Sequence, residues 1–236
     1  MIEFDGAAVA AEHPSPRQIL QPVRLTLSEQ RISVIGANGS GKSTLLKLIN
    51  SLVLPSAGSV RVNGLDTSRN GSAVRRTVGF MFTDPLSQLV MPTGREDVEL
   101  SLRRHYRRRE DRRETAAAVL DRFGLTNLAD QSVYDLSGGE RQLLALATVL
   151  ACEPSVLVAD EPTTLLDLRN EHKVRTLFGG LDQQVVFTTH SLDFAQEADR
   201  TLVIDNGRVV FDGAPSEAVR AYRELTLSGL SLEDRQ

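Results

Sequence analysis

The sequence predicts an α/β fold with a mainly parallel core sheet, and two observations carry that prediction. Short apolar runs stop at polar or glycine residues, and segments with apolar residues at helical spacing follow them. Ile32-Ser33-Val34-Ile35 runs into Gly36, after which Leu45, Leu48, Ile49 and Leu52 recur at helical spacing until Pro55. Val156-Leu157-Val158-Ala159 is apolar at every position, the pattern of a strand covered on both faces, and stops at Asp160-Glu161. Val185-Val186-Phe187 leads through two threonines to His190. Ligands of parallel sheets sit beyond the carboxyl ends of the strands. Three polar points at three such ends therefore predict one shared site.

Two further patches have a different character. Residues 60–62 before Asn63-Gly64, and 202–204 before Asn206-Gly207, read as hairpin strands closed by favourable turn dipeptides. They predict an antiparallel β subdomain near the N-terminus and a return hairpin near the end. From about 93 to 151 the pattern is helical and no strand is evident, which predicts an inserted helical subdomain. The expected organisation is one domain over 1–225, with core segments at about 1–90 and 153–215 and the helical insertion at about 91–152. A polar tail follows over 226–236.

Composition narrows the function. The 236 residues are 41% hydrophobic and 25% charged with a net charge of −4, which argues for a folded chain and against a nucleic-acid partner. No run approaches the ~20 apolar residues that cross a bilayer, and MIEFDGAAVA lacks the order of a secretion signal, so neither is expected. Cys152 is the single cysteine, which excludes an internal disulfide and a cysteine-based zinc cluster.

Gly36-Ala37-Asn38-Gly39-Ser40-Gly41-Lys42-Ser43 fits the phosphate-loop pattern G-x-x-x-x-G-K-[ST] without deviation, between a predicted strand and a predicted helix. Glycines let the backbone curl so that N–H groups turn inward, and a helix that starts near Gly41, with Thr44 in its first turn, adds its positive dipole end. Lys42 is placed to pair with the outer phosphates of a nucleotide, and Ser43 offers a hydroxyl to Mg²⁺. Asp160 is the natural Mg²⁺ partner, directly or through water. Glu161 is the carboxylate expected to position and polarise the attacking water. Two strand-end acids alone would more often be merely solvated; the phosphate loop reverses that preference. In Leu136-Ser137-Gly138-Gly139-Glu140, Ser137 can cap a helix whose first N–H groups the glycines leave uncovered, a second phosphate-binding helix start.

Together with Thr164-Leu165-Leu166-Asp167 and His190, these motifs stand in the order seen in ATP-binding cassette ATPases, which the chain resembles over about residues 1–225. The resemblance implies a P-loop NTPase fold, the ligands ATP and Mg²⁺, and two cassettes packed head to tail. Each nucleotide would lie between one subunit's phosphate loop and the other's signature. Ser137 and Gly139 would then face the γ-phosphate bound to the partner subunit's Lys42, Asp167 would sit at the dimer seam, and His190 would contact the γ-phosphate and hold the Glu161–water geometry. A homodimer with two equivalent sites is the simplest assembly.

The chain departs from that pattern in three places. The usual glutamine after strand 78–82 is Thr83, and Gln88, five residues on, is the expected substitute as a Mg²⁺ sensor. The signature ends in Glu140 where glutamine is usual, a change expected to be tolerated. Phe, Tyr and Trp are absent between Phe4 and Phe80, so the ring that commonly stacks on adenine is missing. His13 is the nearest candidate ring, with a non-aromatic base contact as the alternative.

Residues 82–93, with Glu96-Asp97-Val98 behind them, resemble the energy-coupling-factor branch of vitamin and metal-ion importers. Phe82-Thr83-Asp84-Pro85, Val90-Met91-Pro92-Thr93 and Asp167-Leu168-Arg169-Asn170 are similar to the biotin-transport ATPases of that branch. The resemblance implies an ATP-hydrolysing motor subunit, peripheral on the cytoplasmic face of the cell membrane. Its partners would be a transmembrane coupling protein, received at about 83–105, and a membrane substrate-binding protein. Biotin is the expected cargo, with another vitamin or cobalt or nickel as alternatives. From other classes, the rivals are a cytosolic P-loop phosphotransferase and a non-transport regulatory cassette. Seven arginines between Arg103 and Arg113, against Glu110 and Asp111, read either as a solvated helix face or as a patch for anionic headgroups or acidic loops.

Overall fold

The computed structural model describes residues 1–11, 17–164 and 166–233; His13 and Leu165 lie outside them. The chain opens with strands β1 (Ile2–Ala11), β2 (Arg17–Leu27) and β3 (Arg31–Ile35), followed by helix α1 (Lys42–Ile49). Strands β4 (Ala57–Val62) and β5 (Leu65–Asp66), helix α2 (Gly71–Thr77) and β6 (Val78–Met81) complete the first half. Three helices come next, α3 (Gly94–Ser101), α4 (Arg109–Arg122) and α5 (Gly138–Leu150), where the sequence predicts a helical insertion. The chain then returns through β7 (Val156–Ala159), α6 (Leu168–Gly179), β8 (Gln184–Thr188), α7 (Leu192–Ala195), β9 (Arg200–Asp205), β10 (Arg208–Gly213) and α8 (Pro215–Glu233).

The core sheet has the order β10-β9-β3-β8-β7-β6, parallel throughout except for β10, which returns antiparallel against β9. A second, antiparallel sheet has the order β2-β1-β4-β5. Both expected hairpins are present. Asn63 and Gly64 (φ 49° and 80°), and Asn206 and Gly207 (φ 46° and 75°), each place two successive residues in the left-handed region that a two-residue hairpin turn demands.

Helix α1 lies between the two sheets, touching β2 and β4 on one side and β7 and β8 on the other. Leu45, Leu46, Leu48 and Ile49 are fully buried there, among Ile2, Leu20 and Leu27 of the small sheet and Val34, Val158 and Val186 of the core sheet. Each such side chain contributes about 1.5–3 kcal/mol on burial. The opposite face of the core sheet presents Leu157, Ala159, Val185 and Phe187 to helices α5 and α6. Residues of β7 thus alternate between two apolar layers, which is why the strand is apolar at every position. Pairing of Val34 with Thr188 and of Ala159 with Phe187 brings the ends of β3, β7 and β8 to one level.

In the helical insertion, α3 packs so closely on α5 that a Cβ at Gly94 would come within 2.9 Å of Leu144 Cδ1. The chain before α3 is pinned by Asp97, 2% exposed, whose carboxylate accepts the N–H groups of Val90 (2.9 Å) and Met91 (2.8 Å). Burial pushes the Asp97 carboxyl above its usual range, against those two hydrogen bonds. Asp97→Ala leaves both donors without a partner and is expected to lower stability by about 1–3 kcal/mol in urea melts.

Candidate nucleotide site

Gly36 leaves β3 so close to β9 that a Cβ there would lie 2.1 Å from the Ile204 carbonyl oxygen. No side chain fits at that point. Gly39 and Gly41 then take φ values of 75° and 110°, which only glycine adopts freely. Gly41 is the N-cap of α1 and supplies no side-chain cap, and the first turn carries no acid. The N–H groups of Lys42, Ser43 and Thr44 are therefore left open at the positive end of the helix, and Ser40 Oγ is buried with no partner among the described residues. These features fit a bound phosphate chain. Lys42, 6% exposed, folds back to donate from Nζ to the Gly36 and Ala37 carbonyls at 2.9 and 3.1 Å. Its burial lowers the ammonium pKa, an effect that Glu161 and Asp160 oppose.

The carboxylates come from the end of β7. Ser43 Oγ donates to Asp160 Oδ1 at 2.9 Å, so the hydroxyl and the acid expected to share Mg²⁺ are in contact. Glu161 stands in the left-handed region at φ 53°. His190 Nε2 lies 3.2 Å from Glu161 Oε1, close but not aligned as a hydrogen bond, since Oε1 has no such partner among the described residues. Thr164 Oγ1 donates weakly to Glu161 Oε2 at 3.4 Å. Burial pushes the Glu161 carboxyl above its usual range, while His190 and Lys42 pull it back. A carboxylate with a raised proton affinity is suited to accepting a proton from water.

An open cavity of about 790 Å³ is lined by Lys42, Ser43, Glu161 and His190; Asp160 is not on its wall but hydrogen-bonds to Ser43, which is. Asn38, Gly39 and Gly41 through Thr44 line one part, Thr83, Glu161 and His190 another. The remainder is formed by Thr164 and by Arg17, Gln18, Ile19, Asn206 and Gly207, of which the last five were not predicted as site residues. Those five arrive from the start of β2 and from the β9–β10 turn; Asn206-Gly207 is legible as a turn, but no nucleotide-binding motif marks any of them. Gln88 is not brought to this cavity. Its Oε1 accepts from Phe82 N (3.4 Å) and its Nε2 donates to the Ala145 carbonyl (2.8 Å), so the amide ties β6 to α5 instead of meeting Ser43 and Asp160. Thr83, not Gln88, lines the cleft.

Ser137 and Asp167 line a separate cavity of about 740 Å³ together with Glu140 and Asn170. Ser137 caps α5 in a reciprocal box with Glu140, and Asp167 caps α6 by accepting from Asn170 N at 2.8 Å. Gly138 opens to free space, whereas a Cβ on Gly139 would meet Asn170 Nδ2 at 2.3 Å. A side chain at Gly139 would therefore displace Asn170 from the start of α5.

A family model described as ABC transporter matches residues 20–164. The chain belongs to the ABC transporter family. Its ABC cassette is 39% identical to a Rhizobium etli protein named biotin transport ATP-binding protein BioM, over 95% of this chain and 98% of the relative. It is 36% identical to the energy-coupling factor transporter ATP-binding protein EcfA1 of Halalkalibacterium halodurans, over 84% of this chain and 73% of that one. Among solved structures it resembles the ATP-binding cassette MJ0796 in a dimeric post-hydrolysis state with ADP and Pi. That match has TM-score 0.84 and 30% identity, covering 91% of this chain and 99% of the other. The chain is accordingly an ABC ATPase, the ATP-hydrolysing subunit of a transporter.

The raised Glu161 pKa has a consequence for stability. The folded state binds that proton more tightly than the unfolded chain, so stability falls as pH rises from the ordinary carboxylate range through the folded value. Glu161→Gln removes the buried charge. In nucleotide-free thermal melts the variant is expected to be the more stable at pH 7.5, with the gap closing as pH falls toward 4.5; a pH-independent gap would contradict the assignment.

Proposed function

We propose that this ABC ATPase is the motor of an energy-coupling-factor type importer, with biotin as the favoured cargo, and that it works as a homodimer. One observation carries the reading: phosphate loop and signature of a single chain line two separate cavities, so a second copy is needed to bring Ser137 to the triphosphate held by Lys42. Two copies related by a two-fold axis complete two equivalent pockets.

Within each pocket the open N–H groups at the start of α1 and the Lys42 ammonium bind the outer phosphates. Ser43 and Asp160 would hold Mg²⁺, which would supply charge neutralisation to the phosphate chain. Glu161 orients the attacking water and takes its proton, and His190, beside it, steadies the γ-phosphate. The base rests on the Arg17 and Ile19 end of the cleft, where an aliphatic and a guanidinium face replace the usual ring.

Coupling to the membrane partners falls to the 82–93 stretch, on which Val90 is 69% exposed and which Asp97 fixes in shape. Of the seven arginines between Arg103 and Arg113, Arg112 is tied to the Tyr106 and Arg107 carbonyls and the others are exposed, available to an anionic surface. Among the described residues no helix is long and apolar enough to cross a membrane.

Glu161→Gln is expected to bind ATP, stall turnover and accumulate as a dimer that size-exclusion chromatography resolves from the nucleotide-free form. A variant that stays monomeric at saturating ATP while the parent hydrolyses at full rate overturns the composite site. Purification from detergent-solubilised membranes is expected to bring integral membrane proteins with the chain, and deleting its gene is expected to abolish uptake of labelled biotin. Normal biotin uptake with loss of another vitamin's uptake reassigns the cargo and leaves the motor role intact.

A further inference from the structure

Thr188, the last residue of β8, is fully buried and does not line the nucleotide cavity. Its hydroxyl nevertheless joins the two acidic residues of the site. A threonine hydroxyl has one hydrogen and two lone pairs. Thr188 Oγ1 donates that hydrogen to Asp160 Oδ1 at 2.8 Å and accepts the N–H of Glu161 at 2.8 Å. One atom therefore binds the side chain of the first acid and the backbone of the second.

Both bonds fall where the geometry is hardest to hold. Asp160 Oδ1 receives two hydroxyl donors, Ser43 from the phosphate-loop helix and Thr188 from β8, which fixes the carboxylate between them. Glu161 stands at φ 53°, a conformation that a non-glycine residue keeps only when its surroundings impose it. The bond from its N–H to Thr188 is such a restraint, and it acts at the peptide that aims the Glu161 side chain toward His190. The neighbouring threonine does something else: Thr189 Oγ1 accepts from Ser191 N at the turn into α7.

We infer that Thr188 is a positioning residue for ATP hydrolysis, setting the Asp160 carboxylate and the Glu161 backbone at once through a single hydroxyl. The inference rests on the proposed roles of those two acids. Valine fills nearly the same volume as threonine and offers neither bond, so the substitution separates the hydroxyl from its packing.

Thr188→Val is expected to keep KM for ATP within about threefold of the parent, to lower kcat by about ten- to a hundredfold, and to raise the Mg²⁺ concentration needed for half-maximal rate. Thr188→Ser, which restores the hydroxyl while losing a buried methyl group, is expected to recover most of kcat; a role confined to packing would make serine the worse of the two. Thr188→Cys keeps the volume with a weaker hydrogen-bonding group, and is read by the same criteria if the valine variant does not fold. A folded valine or cysteine variant with the parent's kcat and Mg²⁺ requirement overturns the inference, as does a serine variant no better than valine. Glu161→Gln measured alongside separates the two levels. If it turns over at the parent rate, the reading of the site itself fails; if it is inactive while Thr188→Val is normal, only the role of Thr188 does.

Discussion

The clamping of α1 between two sheets is the constraint on which the site depends. A helix of 8 residues is too short to persist in water on its own account. Here Leu45, Leu46, Leu48 and Ile49 are locked into apolar layers on both sides, and that burial holds a helix start with no cap and no acid in its first turn. The stability that a cap would have contributed is supplied by packing instead, and the open N–H groups remain free for a ligand. The Ser43–Asp160 hydrogen bond then ties this helix to β7, and the common level of the β3, β7 and β8 ends brings loop, acids and histidine together.

Much of this was legible in the sequence, for identifiable reasons. Parallel strands covered on both faces announce themselves as unbroken apolar runs, and the polar residue that stops each run marks the strand end where ligands bind. The Asn-Gly turns and the Ser137 cap are local chemistry, readable without knowing the fold. Strands β1 and β2 were harder. Their pairing is interrupted by register shifts on both sides of Ala7, with Gly6 at φ 63°, so a clean period of two is never sustained. Arg17, Ile19 and Asn206 reach the cleft only because β2 and the β9–β10 turn meet there in space. Gln88 is the converse case: its amide bonds two backbone partners, Phe82 N and the Ala145 carbonyl, that only the fold supplies.

Gly139 shows how one residue can satisfy two demands. A glycine in the signature reads as room for a phosphate, and the neighbouring Gly138 does open to free space. Gly139 instead admits the side chain of Asn170, which follows the Asp167 cap of α6. The start of α5 and the start of α6 therefore meet at Gly139 and Asn170.

The reciprocal cap at the start of α5 sets a condition on how two copies can close. Ser137 gives its only hydroxyl hydrogen to Glu140 Oε2 at 2.7 Å, and its N–H to the same oxygen at 2.7 Å. Both donors already serve an anion within their own chain, and those bonds hold the Glu140 carboxyl below its usual range. In the proposed dimer a triphosphate carried in by a second copy would not meet vacant donors there. It would have to displace a resident carboxylate, so docking at this face would exchange one anion for another.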